Sequence, residues 1–173
     1  MKTVIVLAMH GAPPSDFPKP ELAEFMRLHA QLDHGDRTPP YELVRGRHEE
    51  LDRRVRRWPR TEANDPFYAG SMKLAAELEQ ATRLKVFAGF NEFCAPSLDE
   101  AFDEGVRSGA AKVIVVTPMM TRGGEHAERD IPAAIERARR RHPAIEFVYA
   151  WPFPPADTAQ FLADHARIFI DRA

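Results

Sequence analysis

Residues 3–9 read TVIVLAM, a continuous run of apolar and β-branched residues that ends directly before His10. A second run of the same kind, KVIVVTP, occupies residues 112–118. Strands with one face in water alternate apolar and polar residues, whereas parallel strands covered on both faces are apolar throughout. Both runs therefore predict buried strands of a parallel sheet.

Two further runs, KVFAGFN at 85–91 and IEFVYA at 145–150, complete a set of four predicted strands. Helices are predicted between and after the strands, from apolar residues at helical spacing and from capping residues. Ser97 and Glu100 form a capping box, and Asp157 is expected to cap the last helix. The predicted helices cover about 22–32, 74–81, 97–108, 130–141 and 157–172.

Strands that alternate with helices form parallel sheets through right-handed crossovers. The pattern therefore predicts one α/β domain over residues 1–173, without internal repeats. The segment at about 34–67 departs from the alternation, because it holds Pro39-Pro40, a basic helical stretch and Asn64-Asp65-Pro66. We interpret this segment as a helical excursion within the first crossover.

The bulk composition limits the classes of function. The chain has 173 residues, of which 44% are hydrophobic and 29% charged, an ordinary globular balance. A formal net charge of −2 argues against a nucleic-acid binder, which usually carries a basic excess. The only cysteine, Cys94, suits a reducing compartment, and the apolar run after residue 3 is too short for a membrane span. We expect a soluble, cytoplasmic protein.

Side chains able to bind a metal or move a proton follow three of the predicted strands. Ligands of an open parallel sheet bind beyond the carboxyl ends of its strands. His10 follows the first strand and Glu92 the second, while His126 comes after the third, behind Gly123-Gly124. Because neighbouring strands lie about 4.8 Å apart, these three side chains can converge on one ion.

Other interpretations of these residues stay open. His10 is compatible with a buried histidine at a strand end or with phosphate binding, and Glu92 with an ordinary loop residue before the Ser97 cap. Cys94 is interpreted as a small buried residue of the core. The remaining histidines are interpreted as structural or surface residues: His29, His34, His48, His142 and His165.

The sequence resembles the sirohydrochlorin cobaltochelatase/ferrochelatase family, the class II chelatases, in three segments. They are VIVLAMHGAP (4–13), FNEFCAPSLDEAFDEGVRSGAAKVIVVTPMM (90–120) and TRGGEHAERDIP (121–132). The most specific piece is 112–132, where a strand, a glycine pair, a histidine and DIP follow in order. Residues 66–102 are also similar to the protoporphyrin and coproporphyrin ferrochelatases.

The resemblance implies a three-layer sandwich, in which a small, mainly parallel four-stranded sheet lies between helices and a tetrapyrrole lies across its carboxyl edge. It further implies that His10 and His126 hold the incoming metal and that Glu92 is the acidic residue of the family before APSL. Short family members pair as homodimers. The excursion at 34–67 is absent from the shortest members.

The implied activity is insertion of cobalt or iron into a tetrapyrrole, most naturally sirohydrochlorin, in cobalamin or siroheme biosynthesis. The metal (Co²⁺, Fe²⁺ or Ni²⁺) enters as a substrate, and no permanently bound cofactor is expected. Imidazole binds such ions and can release them, and its unperturbed pKa of about 6.5 lets it accept a proton near neutral pH. We expect His10 and His126 to deliver the ion and Glu92 to take or relay pyrrole protons.

A tetrapyrrole with many carboxylates requires cationic and apolar contacts. Arg122 and Arg129 flank His126 and are predicted to bind the carboxylates, because guanidinium offers paired hydrogen bonds. Phe90 and Met119, together with Phe93 and Met120, are predicted either to form an apolar wall for the macrocycle or to pack in the core. The seven arginines between 45 and 60 are either a lid over the site or, as we favour, a solvated helix face.

Three alternative functions remain at this point. The first is a ferrochelatase of the protoporphyrin or coproporphyrin type, and the second is a carrier that binds metal or tetrapyrrole without inserting the ion. The third is a hydrolase resembling histidine phosphatases. That chemistry requires an arginine directly before the first histidine, and here the residue is Met9.

Overall fold

A computed structural model describes residues 1–33 and 41–170. It contains one four-stranded sheet in the order β2-β1-β3-β4, in which all neighbouring strands are parallel. The strands are β1 (Thr3–Met9), β2 (Val86–Phe90), β3 (Lys112–Val116) and β4 (Glu146–Tyr149). All four predicted strands are therefore confirmed, and the bounds of β1 are those of the apolar run.

Over residues 1–33 and 41–170, six α-helices and one π-helical turn, His126–Asp130, connect and follow the strands. The predicted capping box is present: the Ser97 side chain accepts the backbone N–H of Glu100, whose carboxylate accepts the backbone N–H of Ser97. The helices are α1 (Lys19–Asp33), α2 (Tyr41–Arg56), α3 (Pro66–Thr82), α4 (Leu98–Arg107), α5 (Ile131–Arg141) and α6 (Pro155–Ile170).

The start of α5 agrees with the prediction, since the helix begins at Ile131 with Pro132 in its first turn, and Asp130, whose carboxylate contacts His126, directly precedes it. The start of α6 differs from the prediction. The last helix begins at Pro155, so Asp157 lies in its first turn rather than at its cap. The predicted end of this helix, at about Arg172, lies outside the described residues.

The sheet is covered by helices on both faces, but not evenly. Helices α4 and α5 form one core with β1 and β3, and α3 packs on β2 and forms a second core with β1. The expectation that β3 is covered on both faces is wrong. Its residues alternate between buried and half-buried, since Ile114 and Val116 lie on the face that α3 covers mainly at β2.

Helix α2 lies within the predicted excursion, whose start at 34–40 lies outside the described residues. Helix α2 packs against α1 around a third core, in which Leu51, Val55 and Phe25 are buried. Several arginines of α2 face solvent and pair with acidic residues, as in the Arg47–Glu24 ion pair at 2.8 Å. These pairs support the interpretation of α2 as a solvated helix face.

Arg60 lies at the end of the excursion and is buried instead. Its guanidinium pairs with the buried carboxylate of Asp65, the residue that caps α3. It also donates to the carbonyl oxygens of Ala12 (2.7 Å), Val55 (2.7 Å) and Phe93. One side chain thereby joins the loop after β1, the end of α2, the start of α3 and the loop after β2.

Within the described residues, no helix combines the length and the hydropathy that a membrane span needs.

We expect Arg60→Met to lower the free energy of unfolding by about 3–5 kcal/mol, because it leaves the Asp65 carboxylate buried without its partner. Chemical denaturation followed by circular dichroism measures the change. The control is Arg53→Met, at an exposed position of the same helix end, which should change stability by less than about 0.5 kcal/mol. A loss below 1 kcal/mol in Arg60→Met would contradict the anchoring role.

Candidate metal centre

The backbone hydrogen bonds of the sheet continue beyond the ends of β1 and β2. The Asn91 N–H donates to the Met9 carbonyl oxygen, and the Glu92 N–H donates to the His10 carbonyl oxygen, each at 2.9 Å. The parallel register, which pairs Met9 with Phe90, is thus extended by two residues. This extension brings Glu92 beside His10 at the carboxyl edge.

Gly11 makes this close approach possible. Its φ of +107° is a conformation that residues with a Cβ rarely adopt, and a Cβ built there would overlap the Glu92 carbonyl oxygen. The loop after β1 therefore packs directly on the backbone of the loop after β2.

His126 reaches the same point from the π-helical turn that follows β3. The turn carries the wider helical hydrogen bond in which the Ile131 N–H reaches back to the His126 carbonyl oxygen. The Tyr149 hydroxyl at the end of β4 donates to the Ala127 carbonyl oxygen at 3.0 Å. Burial raises the pKa of Tyr149 to about 12, so the hydroxyl keeps the proton that it donates.

The three predicted ligands converge. One ligand atom from each of His10, Glu92 and His126 lies within 4.8 Å of the other two. The two imidazole rings stand perpendicular, with their centroids 4.3 Å apart. Among the described residues, this is the one cluster of three or more histidine, cysteine or carboxylate side chains close enough to share an ion.

The hydrogen bonds of the two imidazole rings also determine which ring nitrogen is available to bind a metal. His10 Nδ1 lies 2.7 Å from the Gly11 carbonyl oxygen, and His126 Nδ1 lies 2.7 Å from Asp130 Oδ2. Because a carbonyl and a carboxylate only accept, each Nδ1 carries the proton and each Nε2 keeps a free lone pair. Metal-binding histidines are typically oriented by such partners.

Glu92 and His126 line a cavity of about 390 Å³. Its lining carries five carboxylates, from Asp52, Glu92, Asp99, Glu125 and Asp130, against three guanidinium groups, from Arg56, Arg129 and Arg137. This surplus of negative charge favours a divalent cation.

The loop that leads to His126 is closed by Glu128. Its carboxylate accepts the Gly123 N–H at 3.1 Å and pairs with Arg122 at 3.4 Å. These interactions, with the Gly123 hydrogen bond the largest, hold the pKa of the Glu128 carboxyl below its ordinary value. The glycine pair thus belongs to a loop closed by one carboxylate.

The predicted substrate contacts are spread over different places. Arg129 lines the cavity and pairs with Glu125, whereas Arg122 lies over the Trp151 ring, beside a separate apolar cavity. Met119 is half-buried against the core of α4 and α5. Phe90 borders the metal-site cavity, but its ring has no exposed surface and stacks on Tyr68. Cys94 is a buried core residue, as expected.

Two histidines that sequence reasoning assigned to structure or surface also line this cavity. They are His29 of α1 and His48 of α2. The available signal was that His29 follows Phe25 by four residues, on the buried side of its helix. Only the packing of α2 on α1 brings the two histidines together.

The sequence model of the CbiX family matches residues 63–165, more than half of the chain. The sirohydrochlorin ferrochelatase of Priestia megaterium is 31% identical over 64 residues, 37% of this chain and 24% of that protein. The sirohydrochlorin cobaltochelatase of the same organism is 33% identical over 91 residues, 53% of this chain and 28% of that protein. The matched stretches span about a quarter of each of these relatives.

Among solved structures, the CbiX protein of Marinobacter aquaeolei VT8 superposes with a TM-score of 0.58. The superposition covers 99% of both chains at 17% identity. Together with the parallel sheet between helices, this similarity confirms the predicted fold class.

Gly11→Ala should weaken Co²⁺ binding by tenfold or more, because the added Cβ forces His10 and Glu92 apart. Titration of the metal-free protein with Co²⁺, followed by visible absorption, measures the affinity. The matched control is Gly46→Ala on α2, where a Cβ meets no atom within 4 Å. Equal Co²⁺ affinities of the two variants would refute the role of Gly11.

Asp130→Asn should weaken Co²⁺ binding about 10–100-fold, because it removes the carboxylate that orients His126 Nδ1–H. The same titration measures the change. Asp164→Asn on the exposed helix α6 should leave the affinity unchanged. An unchanged affinity in Asp130→Asn would show that this carboxylate does not support the site.

Proposed function

The chain belongs to the CbiX family, and on this premise we propose that it inserts a divalent metal ion into a tetrapyrrole, with sirohydrochlorin as the substrate. The names of its two curated relatives support this choice of substrate. Those relatives are much longer than the stretches they share with it, so the proposal rests on the metal centre of this chain.

The observation that carries the proposal is the open triad of His10, Glu92 and His126. Three protein ligands leave coordination positions for water and for a pyrrole nitrogen, whereas a closed four-ligand cage would retain the ion. Neutral imidazole binds cobalt, iron and nickel without the permanent charge that holds an ion tightly. The site can therefore both bind the metal ion and release it.

Insertion requires the ion to lose water and two pyrrole protons to leave the macrocycle. The bare Nε2 atoms of His10 and His126 hold the ion at the sheet edge. The Glu92 carboxylate is the group beside them that accepts the two protons one after the other as the metal–nitrogen bonds form. It releases each proton into the polar cavity that it lines before it accepts the next.

Arg129 is the guanidinium that we propose for the substrate carboxylates, because it lines the cavity next to His126 and is largely exposed. Arg122 and Met119 lie farther round the edge and would contact the rim of a large macrocycle. Phe90 supports the β2 end from the core. Co²⁺, Fe²⁺ and Ni²⁺ all suit this set of ligands. The ion enters as a substrate, and we place the reaction in cobalamin or siroheme biosynthesis.

Two further expectations stay proposals. We propose a cytoplasmic location, because the one cysteine of the sequence, Cys94, is a buried free thiol, which suits a reducing compartment. A homodimer is expected from the short family members, and the exposed apolar residues of α6 offer a surface for it, among them Phe161, Leu162 and Phe169.

Purified protein should accelerate Co²⁺ insertion into sirohydrochlorin under anaerobic conditions, as followed by the absorbance of the macrocycle. His10→Ala and His126→Ala should each lower the rate on the order of a hundredfold, because each removes a metal ligand. His165→Ala, on the exposed face of α6, is the matched control and should retain the rate.

Near-wild-type insertion by His126→Ala would overturn the assignment. Tight binding of metal or macrocycle without turnover would favour the carrier. Activity with coproporphyrin but not sirohydrochlorin would favour the other ferrochelatase class.

Arg129→Gln should raise KM for sirohydrochlorin about tenfold with little change in kcat, because one charge-assisted contact to the bound carboxylates is lost. Steady-state kinetics separates the two constants. Arg122→Gln is the comparison and should raise KM less, since Arg122 lies outside the cavity. An unchanged KM in Arg129→Gln would remove this residue from the substrate site.

A further inference from the structure

A second pair of histidines lies next to the candidate metal centre. His29 Nδ1 of α1 is 3.2 Å from His48 Nε2 of α2, and His29 Nε2 is 3.6 Å from Glu92 Oε1. Glu92 therefore stands between the two histidine pairs. We propose that His29 and His48 form an outer divalent-metal site, through which the ion reaches His10, Glu92 and His126.

The separation of the two nitrogens fits one shared ion. Nitrogen ligands at about 2.1 Å from an ion, at the angles of tetrahedral or octahedral coordination, lie about 3.0–3.4 Å apart. Without metal, the same 3.2 Å is bridged by an N–H···N hydrogen bond. An ion can take the place of that proton when the His48 ring carries its proton on Nδ1 instead of Nε2 and both rings turn so that the two lone pairs meet at the ion.

Glu92 lies where metal-binding histidines commonly have a carboxylate. His29 Nε2 is 3.6 Å from Glu92 Oε1, beyond hydrogen-bond distance, and the adjacent negative charge favours the tautomer that carries the proton on Nε2. In that tautomer the lone pair of His29 Nδ1 faces His48. Glu92 thus lies beside the outer site while its carboxylate belongs to the inner one.

The outer pair is held in place and is open to the cavity. Both rings pack on the buried Phe25, with centroid distances of 5.8 Å for His29 and 4.9 Å for His48. Asp52, one helical turn beyond His48, lines the same cavity and pairs with Arg56 at 2.8 Å. The cavity connects the two sites, since His29, His48, Glu92 and His126 all line it.

The chemistry of the two sites differs in a way that suits transfer inward. Among the described residues the outer site has two imidazole ligands against three ligands in the inner site, so we expect it to hold an ion less tightly. Glu92 is within reach of both, and one carboxylate can exchange from outer-shell partner to ligand as the ion moves. The role of the outer site in delivery rests on the proposed function, but ion binding there does not.

The test is the stoichiometry of Co²⁺ binding to the purified chain without tetrapyrrole, measured by equilibrium dialysis and visible absorption. We expect two Co²⁺ per chain for the wild type, the second bound at least tenfold more weakly. His29→Gln and His48→Gln should each lose the weaker ion and keep the tighter one. The variant His10→Ala/His126→Ala should keep only the weaker ion.

The matched control is His142→Gln, which should still bind two ions. His142 is 25% exposed in its side chain, against 26% for His29, and pairs with Asp103 rather than with a histidine. One Co²⁺ in the wild type, unchanged in His48→Gln, would show that His29 and His48 form only a hydrogen-bonded pair. Loss of all binding in His10→Ala/His126→Ala, with the fold intact by circular dichroism, would also overturn the outer site.

These outcomes are separate from those of the insertion assay. Two bound ions without insertion would refute the proposed function and leave the outer site in place. Metal insertion by a protein that binds a single ion would support the proposed function and refute the outer site.

Discussion

The backbone ladder between β1 and β2 is the constraint on which the metal centre depends. Its hydrogen bonds run on past the last strand residues, so that Glu92 donates its N–H to the carbonyl oxygen of His10. Parallel strands end at the same edge, and this extension turns a shared edge into direct contact of two ligands. A glycine with positive φ at position 11 is required because the two loops touch through their backbones.

The excursion between β1 and β2 stabilises these same loops. Arg60 joins the Ala12 and Phe93 carbonyl oxygens, and Arg56 donates to those of Asn91 (2.9 Å) and Cys94 (3.1 Å). Loop carbonyls that would otherwise need water are thereby satisfied by two guanidinium groups, of which Arg60 is buried and Arg56 half-buried. The arginine-rich stretch consequently has two roles, since its exposed members pair with glutamates while Arg56 and Arg60 hold the ligand loops.

Sequence reasoning predicted the parts of the fold that depend on local pattern. The apolar run TVIVLAM marks β1 because helices cover both of its faces, and Ser97 with Glu100 marks the start of α4 because a capping box is local. Strand polarity also predicted the convergence of His10, Glu92 and His126. The π-helical turn and the approach of His29 to His48 were not predictable, because each depends on packing between distant segments. The alternation in β3 was missed for the same reason: no local pattern tells which helix covers which face.

The two histidines of the candidate metal centre have different hydrogen-bond partners. His126 donates Nδ1–H to a carboxylate, whereas His10 donates it to a peptide carbonyl oxygen. A carboxylate partner strengthens a histidine as a metal ligand and fixes its orientation. Under the proposed function, an ion leaving for the macrocycle would therefore part from His10 first and remain on His126. The three candidate ligands come from one chain and meet at a single sheet edge, so the order of release that we propose would be set by that edge alone.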